Sequence, residues 1–255
     1  MSRRFAAFVA AGTALAVLVI GSLIAIALGQ AQPPKPAVAS TSSSATPSAT
    51  PTKTPNVNAP TTAKRPVPNP TAAFAASNKK VLFFSFDDGP DPVWTPKILQ
   101  VLAKHGAHAT FFELGGMQAA HPGLRDQVLA AGNTIGSHSI THPQLTALSA
   151  AKRHHEIFDG PRSTCFRPPY GATNAKVRAD IKAAGMVQVL WDVDPRDWSR
   201  PGTQAIVQNI LTNAHPRSII LLHDGGGDRS QTVAALDKVL PLLKAQGYSF
   251  PAMDC

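Results

Sequence analysis

Five clusters of reactive side chains lie along the chain: Asp87-Asp88 before Gly89-Pro90, His138-Ser139-Ile140-Thr141-His142, Arg167-Pro168-Pro169-Tyr170-Gly171, Asp194-Pro195-Arg196-Asp197-Trp198, and Leu221-Leu222-His223-Asp224. Two imidazoles and one carboxylate can bind Zn2+ and leave a position open for water. The same donors suit non-haem iron, so residue types alone leave the metal open. A second carboxylate beside such a metal can take a proton from the attacking water, and a histidine on the opposite side can protonate a leaving group. An arginine can hold the base ionised and fix its direction. Together these groups describe metal-assisted hydrolysis of an acyl bond.

Each cluster alone has a plainer explanation. Asp-Asp-Gly-Pro is commonly a turn. Two histidines four apart, without the Glu of His-Glu-x-x-His, make a poor zinc peptidase. Arg-Pro-Pro-Tyr could be a polyproline turn, and His223 a satisfied core histidine. Their common placement argues otherwise. Strand candidates are Val81–Phe86, Thr110–Leu114, Thr134–Ser137, Thr164–Arg167, Val187–Val193, Ser218–Leu222 and Tyr248–Met253. Five of these seven carry a cluster at their C-terminal end, where parallel barrels and open sheets place their active sites. His105, His108, His121, His154, His155 and His215 fall outside this pattern and read as ordinary polar positions.

The elements that must position these groups alternate between strand and helix. Gln231–Gln246 has Val233, Leu236, Leu240 and Leu243 at helical spacing. Trp94–Lys104, Pro122–Ala131, Asn174–Ala184 and Gln204–Ala214 are shorter helix candidates, and Gly106, Gly132, Gly185 and Gly247 mark helix stops. Such alternation implies parallel strands joined by crossovers. Seven strands over residues 78–255 suggest an α/β fold, a distorted and incomplete (β/α)7 barrel, with a doubly wound open sheet as the alternative.

The five clusters, in order, resemble the motifs of the NodB-homology polysaccharide deacetylases (carbohydrate esterase family four), over about residues 78–255. The resemblance implies that Asp87 is the general base and that Asp88, His138 and His142 hold one divalent metal, Zn2+ foremost, with Co2+ or another ion possible. It implies that the Tyr170 N–H helps to bind the oxyanion, that Arg167 orients Asp87, and that Asp197 pairs with Arg167. Trp198 and Leu221 would line the acetyl pocket, and His223 would be the general acid. The implied reaction is removal of N-acetyl groups from a cell-wall amino-sugar polymer, peptidoglycan or chitin-like. An acetylxylan-type O-acetyl esterase and an inactive wall-binding module are the alternatives. Two departures stand out. The connection from His142 to Arg167 is short, with only Ser149–Phe158 able to be helical. Glu113 stands in a strand where an apolar residue is expected, as if facing a solvated groove.

Residues 1–30 read as a transmembrane anchor or signal segment. Phe5–Leu28 is an uncharged run of 24 residues behind Arg3-Arg4. As a helix it would be about 36 Å long, enough for a bilayer core of about 30 Å. The arginines would stay cytoplasmic and the remainder would be exported. An uncleaved anchor is preferred; cleavage near Gly29 would release a secreted protein. Residues 31–77 hold 10 Pro and 14 Ser/Thr in 47 positions, a composition that cannot bury a core and suits an extended linker.

The net charge of +9 comes from 24 basic and 15 acidic residues, but residues 1–77 supply six basic and no acidic ones. The rest shows no basic stripe, which argues against a nucleic-acid partner. The expected partners are a wall polysaccharide and, through the N-terminal helix, the membrane; no feature points to an obligate protein partner. Cys165 and Cys255 are the only cysteines, and export would permit a disulfide between them. Closing a loop of that size would contribute up to about 4–5 kcal/mol on the chain-entropy model.

Overall fold

The computed structural model describes residues 69–72 and 80–255. The anchor segment 1–30 and most of the 31–77 linker lie outside the described residues. Among the described residues no helix is long and apolar enough to cross a membrane. The chain runs β1 (Lys80–Val81), β2 (Phe83–Asp87), α1 (Trp94–His105), β3 (Ala109–Glu113), α2 (Gly115–Ala120), α3 (Leu124–Ala130), β4 (Thr134–Ser137), α4 (Ala150–Phe158), β5 (Cys165–Phe166), α5 (Ala175–Ala183), β6 (Val187–Gln188), α6 (Thr203–Asn213), β7 (Ile219–His223), α7 (Ser230–Ala245) and β8 (Tyr248–Ser249).

Six parallel strands form one curled half-barrel sheet in the order β6-β5-β4-β3-β2-β7. β2 lies between β3 and β7 and is buried on both faces, which is why Phe83, Phe84 and Phe86 interrupt their apolar run only at Ser85. Phe84, Phe86, Phe111, Ile220 and Leu222 pack outward against Ile98 and Leu102 of α1 and Leu236 and Leu240 of α7. Phe83, Phe112 and Val189 fill the inside with Cys165 and Met253. Burying each such large side chain contributes about 1.5–3 kcal/mol. Phe84 also meets the edge of Phe250, with ring centroids 5.6 Å apart, so Phe84→Ala would cost about 3–5 kcal/mol.

The helices follow local chemistry. Asp91 Oδ1 accepts the N–H groups of Val93 and Trp94, satisfying donors at the start of α1. Gly106 ends that helix with φ 63°, a conformation that costs glycine little. Ser149 caps α4 by accepting the Lys152 N–H.

Two expected strands differ. Val187–Val193 pairs as a strand only over Val187–Gln188, with one further bridge from Val193 to Ile220. The intervening carbonyls of Val189 and Leu190 turn instead to the Arg167 guanidinium, at 3.4 and 3.2 Å. The expected last strand, Tyr248–Met253, shortens to Tyr248–Ser249 and pairs with β1 outside the main sheet. The sheet therefore has six strands rather than seven. Its seam is drawn together where the Asp192 N–H donates to Ile219 O and the Ile219 N–H donates to Asp192 Oδ2, at 2.9 and 2.8 Å.

Cys165 and Cys255 form a disulfide, tying the chain end to β5. Of the expected linker, Asn69–Ala72 are described. Pro70 is buried, and its carbonyl accepts the Asp254 N–H at 2.9 Å. This short stretch lines a small cavity with Gln188, Trp191, Asp192 and Ile219.

Candidate active site

Parallel pairing brings the five clusters together at one end of the sheet. Asp87 stands opposite both Phe112 of β3 and His223 of β7. The chain then turns sharply. Asp88 takes φ 74°, and the Asp224 carboxyl packs so closely on Gly89 that a Cβ there has no room. Asp224 is itself fully buried. Burial lifts its pKa well above the ordinary carboxylate value against the Thr95 hydrogen bond, and the charges of Glu113, Asp88 and Asp87 add to the rise.

After β4, Ser139 and His142 also take positive φ, 72° and 61°. Such non-glycine conformations persist only where the surroundings enforce them. Glu156 of α4 does so. Its Oε2 accepts the N–H groups of Ile140 and Thr141 at 2.8 and 2.9 Å, and its Oε1 accepts the Thr141 hydroxyl at 2.6 Å. The truncated crossover from His142 to Arg167 thus braces the histidine loop.

Asp88, His138 and His142 offer one ligand atom each, all within 4.8 Å of one another. His142 Nε2 lies 3.4 Å and His138 Nε2 3.7 Å from Asp88 Oδ1. That buried oxygen has no hydrogen-bond partner among the described residues. His138 Nδ1 lies 2.7 Å from the Arg167 carbonyl, so Nδ1 carries the proton and Nε2 presents its lone pair. Burial depresses the His138 pKa against the pull of Asp87 and Asp88 and favours the neutral ring. An orphaned carboxylate oxygen facing two imidazole lone pairs fits a divalent cation such as Zn2+.

Arg167 is fully buried and donates to Asp87 Oδ1 at 2.6 Å and to Ser85 Oγ at 2.9 Å. Its guanidinium lies 4.0 Å over the Phe112 ring. Asp87 is thereby held with one oxygen fixed, while its other oxygen lies 3.6 Å from His138 Nε2. The expected pairing of Asp197 with Arg167 is corrected. Asp197 Oδ1 lies 2.7 Å from His223 Nδ1, and Oδ2 accepts the His223 N–H and the Thr232 hydroxyl at 3.0 and 2.7 Å. The reason is position: Asp197 follows the seam beside β7, on the His223 side, whereas Arg167 spends its donors on Asp87, Ser85 and the bent β6 segment. Burial alone would lower the His223 pKa. The Asp197 hydrogen bond and charge, with Asp87 and Asp88, outweigh it and raise the pKa above 6.5.

Asp87, Asp88, His138, His142 and His223 line a cleft of about 390 Å³ with Tyr170, Trp198 and Leu221. Tyr170 takes φ 61°, its N–H donates to no group among the described residues, and its ring stands edge-on to His142 at 4.5 Å. Trp191 and Asp194 also line the cleft; the sequence placed Asp194 in a reactive cluster without giving it a role and did not single out Trp191. Trp191 lies inside the expected strand Val187–Val193, where it reads as one more apolar position. Glu113, expected to face a solvated groove, is completely buried, with Gln118 donating to its Oε2.

A parallel half-barrel with paired acids, an arginine-held carboxylate and an opposed His–Asp pair at its strand ends defines a hydrolytic class of site. Residues 75–189 match the family model described as polysaccharide deacetylase. A peptidoglycan-N-acetylglucosamine deacetylase of Bacillus cereus is 45% identical over 184 residues, covering 68% of this chain and 86% of that protein. A chitooligosaccharide deacetylase of Rhizobium leguminosarum is 39% identical over 199 residues, covering 70% and 93%. The solved peptidoglycan deacetylase PdaC of Bacillus subtilis superposes with a TM-score of 0.63 at 37% identity, covering 69% and 88%. The chain belongs to the polysaccharide deacetylase family.

Proposed function

We propose that this protein is a metal-dependent, extracytoplasmic N-deacetylase of a cell-wall amino-sugar polymer. The observation that carries the reading is the unpartnered Asp88 Oδ1 facing two imidazole nitrogens, with Asp87 and His223, register partners on β2 and β7, lining the same cleft. Asp88, His138 and His142 would hold the cation. When bound there it would act as a Lewis acid on the acetyl carbonyl and make the attacking water more acidic.

The chain's own groups do the rest. Arg167 aims Asp87 through its hydrogen bond to Oδ1, and Asp87 takes the proton of the attacking water. The Tyr170 N–H donates to the oxygen that becomes negative as the carbonyl carbon turns tetrahedral. Leu221 and Trp198 enclose the acetyl methyl group. His223, protonated and fixed through Nδ1 by Asp197, gives its Nε2 proton to the leaving amine as the carbon–nitrogen bond breaks. The products are acetate and a free amino sugar. The relatives named for peptidoglycan and chitooligosaccharides support the N-acetyl amino-sugar substrate. The anchor and linker composition supports attachment to the membrane with the domain outside. At about 3.1 Å per residue, residues 31–68 fully extended would reach roughly 120 Å, into wall beside the membrane. Acetate release from N-acetylglucosamine oligomers, wall peptidoglycan and acetylxylan tests the substrate. The amino-sugar polymers should be preferred; acetylxylan as the best substrate would contradict the reading.

A further inference from the structure

Arg196 stands at the rim of the cleft and takes no part in the chemistry above. Its guanidinium carbon lies 5.0 Å from the ring centroid of Trp198, an exposed cleft residue. Its backbone is left-handed, with φ 56° and ψ 38°. The loop is built to hold it so. The Arg196 N–H donates to Asp194 Oδ1 at 2.8 Å, and its carbonyl accepts the Ser199 N–H at 3.0 Å and the Ser199 hydroxyl at 2.8 Å. Arg200, also left-handed, pairs with Asp228 at 2.9 Å. The Arg196 guanidinium has no carboxylate at ion-pair distance among the described residues; the Trp198 ring is its neighbour.

A guanidinium lying over an indole and without an ion-pair partner has N–H edges that match the two oxygens of a carboxylate. Fixing the side chain beforehand reduces the ordering that binding would otherwise require. Asp194, the neighbouring acid on this loop, also lines the cleft, but one of its oxygens is already engaged by the Arg196 backbone. We propose that Arg196 binds a carboxylate carried by the polymer near the N-acetyl group under attack. The substrate is thus an anionic amino-sugar polymer with carboxyl-bearing substituents, rather than a neutral chain. This rests on the proposed deacetylase reading and narrows its substrate class.

The test compares three substrates: peptidoglycan fragments with free peptide carboxylates, the same fragments after amidation of those carboxylates, and neutral N-acetylglucosamine oligomers. Arg196→Gln should raise KM for the carboxylate fragments about tenfold more than for the neutral oligomers, a factor equivalent to about 1.4 kcal/mol. Amidation should remove that difference, and Arg196→Lys should recover part of it. Calorimetric Kd values for the same fragments on metal-free protein should shift by the same ratio. Equal changes on all three substrates, or an unchanged Kd ratio, would overturn the proposal. Absence of acetate release by the parent protein with the Kd ratio still shifted would instead overturn the deacetylase reading and uphold the carboxylate contact.

Discussion

In the proposed reaction His223 carries the proton that a leaving amine needs, and Asp197 governs how far up in pH the ring keeps it. Because Asp197 raises the His223 pKa, the protonated form persists above the ordinary imidazole range. Asp197→Asn should move the alkaline limb of the kcat/KM profile to lower pH and reduce kcat/KM at pH 8 by about 10²–10⁴-fold. An unmoved limb would mean that another group is the acid. The reactive residues themselves were legible because their types are rare and clustered. The partner of Asp197 was not, since it depends on which strand the seam places beside it. Glu113 was opaque for the same reason. Burial, opposed by the Gln118 hydrogen bond and the Arg125 charge, lifts its pKa from 4.5 to about 7. The folded chain keeps this proton to about pH 7 while the unfolded chain loses it near pH 4.5, so Glu113 lowers stability as pH rises through that window. The shift corresponds to about 3 kcal/mol. Glu113→Gln should therefore be more stable than the parent by about that amount at pH 8 and nearly equal to it near pH 4, as read by urea unfolding.

At the scale of elements, the β4–α4 connection shows how a short crossover can serve a site. The loop Ser139–His142 holds two left-handed residues; the Ile140 and Thr141 N–H groups go to one side chain, Glu156, and the His142 N–H goes to Ser139 Oγ. The helix Ala150–Phe158 could be anticipated from the chain, but Glu156 lies fourteen residues after His142 and carries no motif. Its role exists only once α4 folds back under the loop. Glu156→Ala should leave the far-ultraviolet spectrum unchanged and weaken Zn2+ affinity by about 10–100-fold, through loss of the loop geometry that aims His142. Unchanged affinity in a folded variant would show that the loop holds its shape without the acid. Strand–helix alternation and most helix positions were similarly legible from periodicity and glycine stops, but the short α2 was not expected. The bend after β6 was not, because it is imposed by a buried arginine from another strand.

At the scale of the whole molecule, the catalytic domain reaches back into what composition marks as linker. Pro70 is buried, and its carbonyl is bonded to Asp254, next to the disulfide-linked Cys255. No apolar periodicity announces this contact, so the domain start expected at residue 78 falls short of it. A chain beginning at residue 78 should unfold about 2–6 °C below one beginning at residue 66, through loss of one hydrogen bond and the packing of Pro70. Equal melting temperatures would make the contact energetically idle. The account as a whole turns on the cluster Asp88, His138 and His142 and its cation. The most direct measurement is acetate release from an N-acetylglucosamine oligomer by protein stripped with a chelator and then titrated with Zn2+, with bound metal counted on the same samples. Stripped protein should be inactive, activity should return in proportion to metal and saturate at one ion per chain, and His142→Ala should recover neither. Full activity in protein shown to be free of metal would contradict the account.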